Sequence, residues 1–159
     1  MPESVAVLLI EDDPNDALLF ERAISDVPAC PALKVVSDIE SAQSYFRGHG
    51  QYADRALWPM PRLILLDLNL GNTRGTDFLI WAKAHPRFKR IPIVVVTGSI
   101  SPATVGEILS LGANAVMQKP LGLDQLRSVL TTACEFWLCI AIAPEPIPER
   151  RAALQEMIV

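Results

Sequence analysis

The sequence lacks the ~20-residue apolar run that a bilayer-spanning helix needs. Its longest, FWLCIAIA at 136–143, stops far short of that. It also lacks a surplus of positive charge: 14 Lys and Arg stand against 18 Asp and Glu, a formal net charge of −4. Nucleic-acid-binding surfaces usually show a basic patch, and here only RFKR (87–90) and Arg150–Arg151 are dense in bases, both short enough to be solvated surface. Cysteine is scarce. Cys30, Cys134 and Cys139 are odd in number and match no metal-ligand spacing, so buried free thiols in a reducing compartment are expected. The two histidines, His49 and His85, fall near helix ends, where a solvated side chain is the ordinary reading. No basic leader precedes an apolar stretch at the N-terminus. These absences together predict a cytoplasmic protein that binds neither membrane nor nucleic acid.

Half of the 159 residues are hydrophobic, and a chain of this length closes a core without staples. Five apolar, β-rich runs alternate with helical patterns: AVLLI (6–10), ALKVVSD (32–38), LILLD (63–67), IVVVT (93–97) and AVMQ (115–118). A run with no polar alternation is a strand buried on both faces. After the first run, Asp13-Pro14 reads as a helix cap followed by proline at the first helical position. Ala17, Phe20 and Ile24 follow at helical spacing, with Leu18 and Leu19 widening the stripe. Ser41 to Arg47 is a second helix ended by Gly48, and Thr76 to His85 a third. Val105, Ile108 and Leu109 mark a fourth, with GAN (112–114) as its stop signal. The last runs from about Gly122 to Cys139, with Leu126, Val129, Leu130, Ala133 and Trp137 on one face. A βα unit repeated five times predicts an α/β fold, a doubly wound five-stranded parallel sheet with helices on both faces. The domain is expected over 1–139, with a C-terminal extension, an arm, over 140–159.

Sites in open α/β sheets lie beyond the carboxyl ends of the strands. Glu11 and Asp12 follow strand 1, Asp67 ends strand 3, Thr97 ends strand 4 and Lys119-Pro120 follow strand 5. Three carboxylates, a hydroxyl and an ammonium therefore share one rim. Adjacent carboxylates repel and raise one another's pKa, so a compensating cation is expected. Clustered oxygen ligands suit Mg²⁺, and Lys119 supplies further positive charge. A carboxylate beside Mg²⁺ can accept a phosphoryl group without a general base, with Thr97 and Lys119 holding the oxygens. Asp13, with Pro14 behind it, is a cap rather than a ligand.

The stretches LLIEDDPNDALLFERAI, LILLDLNLGNTRGTDFL, IPIVVVTGS and LGANAVMQKP occur in that order. Thirty residues separate Asp67 from Thr97, and twenty-two separate Thr97 from Lys119. Over residues about 5–135 the chain resembles the response-regulator receiver domains of two-component signalling. The resemblance implies a flavodoxin-like strand order, 2-1-3-4-5. It implies that Asp12 ligates Mg²⁺ directly, that Glu11 does so through water, and that Asp67 is both phospho-acceptor and ligand. The backbone carbonyl of Asn69 would be a further ligand, Thr97 and Lys119 would contact the phosphoryl group, and the Lys119–Pro120 bond would be cis. A sensor histidine kinase would supply the phosphoryl group, and a downstream protein or phosphotransfer protein would receive the signal. Such a domain is no enzyme in the turnover sense but catalyses its own Mg²⁺-dependent phosphorylation and dephosphorylation. EDDPNDALLFERAI and FLIWAKAHPRFKRIPIVVVT resemble most the single-domain regulators paired with phytochrome histidine kinases, those of bacteriophytochromes included.

Two positions depart from the family pattern. Gly71 stands four residues after the acceptor, where proline is usual, and is expected to loosen that loop. Val116 stands three before the lysine in place of an aromatic, which puts the usual allosteric readout in doubt. Two alternatives stay open. An aspartate-nucleophile phosphatase of the haloacid-dehalogenase type would want an acid two residues after Asp67, where Asn69 stands. A flavodoxin-like FMN-binding module would want a phosphate-cradling loop after strand 1, where acids stand instead. Beyond the last helix stripe, Phe136, Trp137, Leu138, Ile140 and Ile142 offer more apolar surface than one face hides. The prolines at 144, 146 and 148 favour a stiff arm, and Leu154, Met157 and Ile158 lie at helical spacing after it. A homodimer through helix 5 and this arm is expected.

Overall fold

The computed structural model describes residues 6–30, 32–98 and 100–142. The elements run β1 (Val7–Ile10), α1 (Pro14–Ser25), β2 (Leu33–Val36), α2 (Ile39–Arg47), β3 (Leu63–Asp67), β4 (Asn69–Leu70), β5 (Thr73–Arg74), α3 (Gly75–Ala84), β6 (Ile93–Thr97), α4 (Pro102–Ser110), β7 (Ala115–Gln118) and α5 (Leu123–Cys134). The main sheet is parallel throughout, in the order β2-β1-β3-β6-β7. Counting only its own strands, that is the 2-1-3-4-5 order expected.

The unbroken apolar runs follow from burial on two sides. Leu8, Ile10, Ile64, Leu66, Ile93 and Val95 point to one face, where Phe46 of α2, Phe78 of α3 and Ile108 of α4 cover them. Val7, Leu9, Leu63, Leu65, Val94 and Val96 point to the other, against Phe20 and Ile24 of α1 and Leu126 and Leu130 of α5. With no solvent face, the central strands have no need of polar alternation. Leu18 stands out of the α1 stripe and is exposed. Cys30 and Cys134 are buried free thiols, but Cys139 is exposed, because it lies beyond the packed part of the last helix.

Two local features differ from expectation. The α-helical hydrogen bonding of the last helix stops at Cys134, and Glu135–Ile140 continue as a wider π turn, closed by the Ala141 amide donating to the Phe136 carbonyl. The extra residue in the turn shifts the phase of an apolar run that no 3.6-residue period could place on one face. Trp137 and Leu138 thereby reach the α1 side of the core, while Phe136 and Ile140 face outward. The arm expected from residue 140 lies outside the described residues from 143 onward. Among the described residues, no helix is long and apolar enough to cross a membrane.

The second feature is β4 and β5, a small antiparallel hairpin between β3 and α3 that pairs Asn69 with Arg74 and Leu70 with Thr73. Gly71 opens its two-residue turn at φ 65°, a left-handed conformation closed to proline. Glycine here therefore closes the segment into a hairpin rather than loosening it. The same turn brings Gly71 so near Asp12 that a Cβ would lie 3.3 Å from Oδ2.

Candidate functional site

The register of the sheet assembles the rim. Ile10 is level with Leu66 and Asp67 with Val96, so Glu11 and Asp67 leave neighbouring strands at the same height. Thr97 is level with Gln118, and the Lys119 amide donates to the Thr97 carbonyl at 2.7 Å, extending the β6–β7 ladder by one residue. Glu11 is fixed at the opposite side by its own amide, which donates to the Val36 carbonyl at 3.0 Å.

Capping decides where the acids point. Asp13 accepts the Asn15 amide at 2.8 Å and is the N-cap of α1, with Pro14 at the first helical position as expected. The Asp13 amide in turn donates to Glu11 Oε1 at 3.2 Å. Asp13 is thereby tied into the helix start, leaving Glu11 and Asp12 to the rim. Glu11, Asp12 and Asp67 each offer a carboxylate oxygen within 4.8 Å of the others, two of the three residues being buried. Asn69 is exposed in β4, and its amide donates to Asp67 Oδ1 at 3.1 Å. Thr97 is buried at the end of β6. The structure thus brings Glu11, Asp12, Asp67 and Lys119 together, with Asn69 held to Asp67 through its amide and Thr97 at the end of the neighbouring strand.

Lys119 crosses the rim to reach them. Its Nζ donates to Glu11 Oε2 at 3.0 Å and to Asp67 Oδ2 at 3.2 Å. The Lys119–Pro120 bond is trans, against the expected cis, since the four-carbon side chain spans to the acids from the ladder position its amide holds. Burial works to lower the lysine pKa, but hydrogen bonds to Asp16 and Glu11, with the charges of Glu11 and Asp67, outweigh it and hold the ammonium protonated. Burial, joined by contact with Asp67 and only partly offset by Lys119, pushes Glu11 up to about 7. The lysine alone does not neutralise the buried acids.

Asp16 went unnoticed in the sequence. Its Oδ2 lies 2.9 Å from Lys119 Nζ, the shortest of the three contacts. A signal for it existed. An acid three residues after an N-cap is the capping-box position, whose side chain ordinarily turns back to the N-cap amide. Here Glu11 holds that amide, and Asp16 turns to the lysine instead.

The donor set fits a hard divalent cation: carboxylate oxygens only, converging from two strand ends, with an excess of negative charge. If Asp12 is a direct ligand, Asp12→Ala should leave folding intact, because this side chain is exposed, and weaken Mg²⁺ binding on the order of 10-fold or more, a protein giving Mg²⁺ few carboxylates to begin with. Calorimetric titration of both chains with MgCl₂ checks this.

Comparison with known proteins agrees with this geometry. The response regulator receiver domain family matches residues 7–131. The response regulator Rcp1 of Synechocystis sp. is 32% identical over 132 residues, covering 83% of this chain and 88% of that protein. A Mn²⁺-bound structure of Rcp1 superposes with a TM-score of 0.76 at 30% identity, over 89% of this chain and 99% of that one. The phosphorylated cyanobacterial phytochrome response regulator RcpA superposes with a TM-score of 0.79 at 33% identity, again over 89% and 99% of the two chains. The bacteriophytochrome response regulator RtBRR gives 0.68 at 29% identity over 96% and 90%. An acidic pocket closed by a lysine, on a sheet of order 2-1-3-4-5 and with these relatives, places the chain in the response regulator receiver family, close to the phytochrome-associated members.

Proposed function

We propose that this receiver accepts a phosphoryl group on Asp67 from the phosphohistidine of a sensor kinase, and that the kinase is of phytochrome type. The observation that carries the first part is the position of Asp67. It is buried at the centre of the rim, with one oxygen on the Asn69 amide and the other on Lys119. An ionised carboxylate held this way needs no base. One of its oxygens forms the new O–P bond, the N–P bond of the donor breaks, and the imidazole leaves with the electron pair. Lys119 and the Thr97 hydroxyl would hold the equatorial oxygens. Glu11, Asp12, Asp67 and the Asn69 carbonyl would hold Mg²⁺, whose contribution when bound is neutralisation of charge on the transferring group. Asn69, two residues after the nucleophile, removes the acid that the phosphatase alternative needs. Phosphotransfer from purified kinases, phytochrome-type ones first, tests the reading. Rapid transfer to the wild type supports it, and failure with every phytochrome-type donor overturns the second part.

The output we propose is protein contact in the cytoplasm, to a downstream or phosphotransfer protein, from a homodimer built on helix 5 and the arm beyond it. Support comes from Phe136 and Ile140, which the π turn leaves 47% and 69% exposed on one short segment. Ile140→Glu should leave the monomer folded and shift the chain from dimer to monomer in light scattering. A monomeric wild type at tens of micromolar contradicts the dimer.

Val116 sits half-buried in β7 against the α4-side core, level with Val95. A stiff β-branched side chain has no long swing between two poses. Phosphorylation should therefore shift amide resonances in the loops after Thr97 and Asp67 more than those of residues 115–118; equal shifts in β7 contradict this.

A further inference from the structure

Lys119 has three ammonium hydrogens, and three carboxylates face them: Asp16 at 2.9 Å, Glu11 at 3.0 Å and Asp67 at 3.2 Å. An ammonium has no fourth hydrogen to give. A phosphoryl oxygen arriving at Asp67 can be bound by Lys119 only if one of these bonds is given up. The three partners differ in what release costs them. The side chain of Glu11 is 1% exposed, and a carboxylate left unpaired there suffers the full loss of solvation, while Asp67 is the attacking group and its second oxygen stays available to the lysine through the transfer. Asp16 is 37% exposed and can rehydrate where it stands. It also sits on a different element: Glu11 and Asp67 leave the strand ends, whereas Asp16 belongs to the first turn of α1.

We infer that Asp16 is the exchange partner of the phosphoryl group, competing with it for Lys119 and thereby restraining phosphorylation of Asp67. This rests on Asp67 being the acceptor. Asp16 is a positioning residue, acting on the transferring oxygens only through the lysine. Its hold keeps the ammonium over the α1 side of the rim, and phosphorylation draws the ammonium away from the helix.

The test uses the full chain with saturating Mg²⁺ and acetyl phosphate as donor. In that reaction the P–O bond to acetate breaks, acetate leaves with the electron pair, and an Asp67 oxygen bonds to phosphorus. Asp16→Asn and Asp16→Ala should form the acyl phosphate faster, and bind beryllofluoride more tightly, by about 2- to 5-fold, the range for one partly exposed charge pair. Asp16→Glu, which restores the acid, should return toward the wild type. Asp13→Asn removes the same charge nearby while keeping the helix cap; its side chain meets the Asn15 and Asp16 amides and not the lysine, so it should change neither quantity. Equal acceleration by Asp13→Asn would mean a bulk field effect and overturn the inference. Slower phosphorylation in Asp16→Asn would mean that Asp16 holds Lys119 ready for transfer, and unchanged kinetics that it is a bystander; either overturns it. If the wild type itself neither takes up phosphoryl nor binds beryllofluoride, the acceptor reading fails and the inference with it.

Discussion

Asp67→Asn will take up no phosphoryl group from either a phosphorylated kinase or acetyl phosphate, while folding at least as well as the wild type. The substitution keeps the shape of the side chain, and an amide oxygen can still accept the Asn69 amide that now lies 3.1 Å from Oδ1. What disappears is the nucleophile, because an amide oxygen at this position does not attack phosphorus as a carboxylate does. The stability half of the prediction comes from charge. Glu11 is pushed upward by burial first and by its contact with Asp67 next, so neutralising Asp67 relieves a like-charge pair. Lys119 keeps Glu11 and Asp16 as partners. Label retention after acid quench and a urea titration, run on both chains, check the two halves separately.

Gly75→Ala is the substitution with the largest expected structural effect near the site. Gly75 opens α3, and its amide donates to the Leu68 carbonyl at 2.8 Å. A Cβ built there collides with the carbonyl oxygen of Asp67 and lies 2.9 Å from Leu68 Cα. Both obstacles are backbone, so no rotamer change relieves them. The chain must move at Asp67, the proposed nucleophile. A loss of about 1–3 kcal/mol, the usual range for overpacking, should come with impaired phosphorylation. Gly106→Ala is the matched control: it lies within α4 with open space around its Cβ, and should gain about 0.5–1 kcal/mol from helix propensity. Denaturation midpoints of the two variants should move in opposite directions.

What the sequence showed, and what it hid, divides along physical lines. The five main strands were legible because both of their faces are buried, which turns each into an unbroken apolar run that ends abruptly. The site was legible for the same reason, since Asp67, Thr97 and the acids after Ile10 stand where those runs stop. Asp13 was legible as a cap because Pro14 follows it. Asp16 was legible only as a capping-box acid three residues after Asp13; its ion pair to a lysine 103 residues away leaves no trace in any local pattern. The β4–β5 hairpin was too short for any periodicity; only Gly71-Asn72 between Leu70 and Thr73 hinted at it. The π turn at 135–140 was hidden because a continuous apolar run carries no phase from which to read a shift.

The central claim is that Asp67, and no other acid on this crowded rim, carries the phosphoryl group. Glu11, Asp12, Asp13 and Asp16 all lie within the same few residues, so labelling alone does not distinguish them. Borohydride reduction does, because it converts only a carboxyl activated as its acyl phosphate into the alcohol. Phosphorylated protein reduced in this way and read by peptide mass spectrometry should show the alcohol at residue 67, and only when Mg²⁺ was present during phosphorylation. An alcohol at residue 11, 12, 13 or 16 in place of 67 would contradict the account, as would one at 67 formed equally well with the metal chelated.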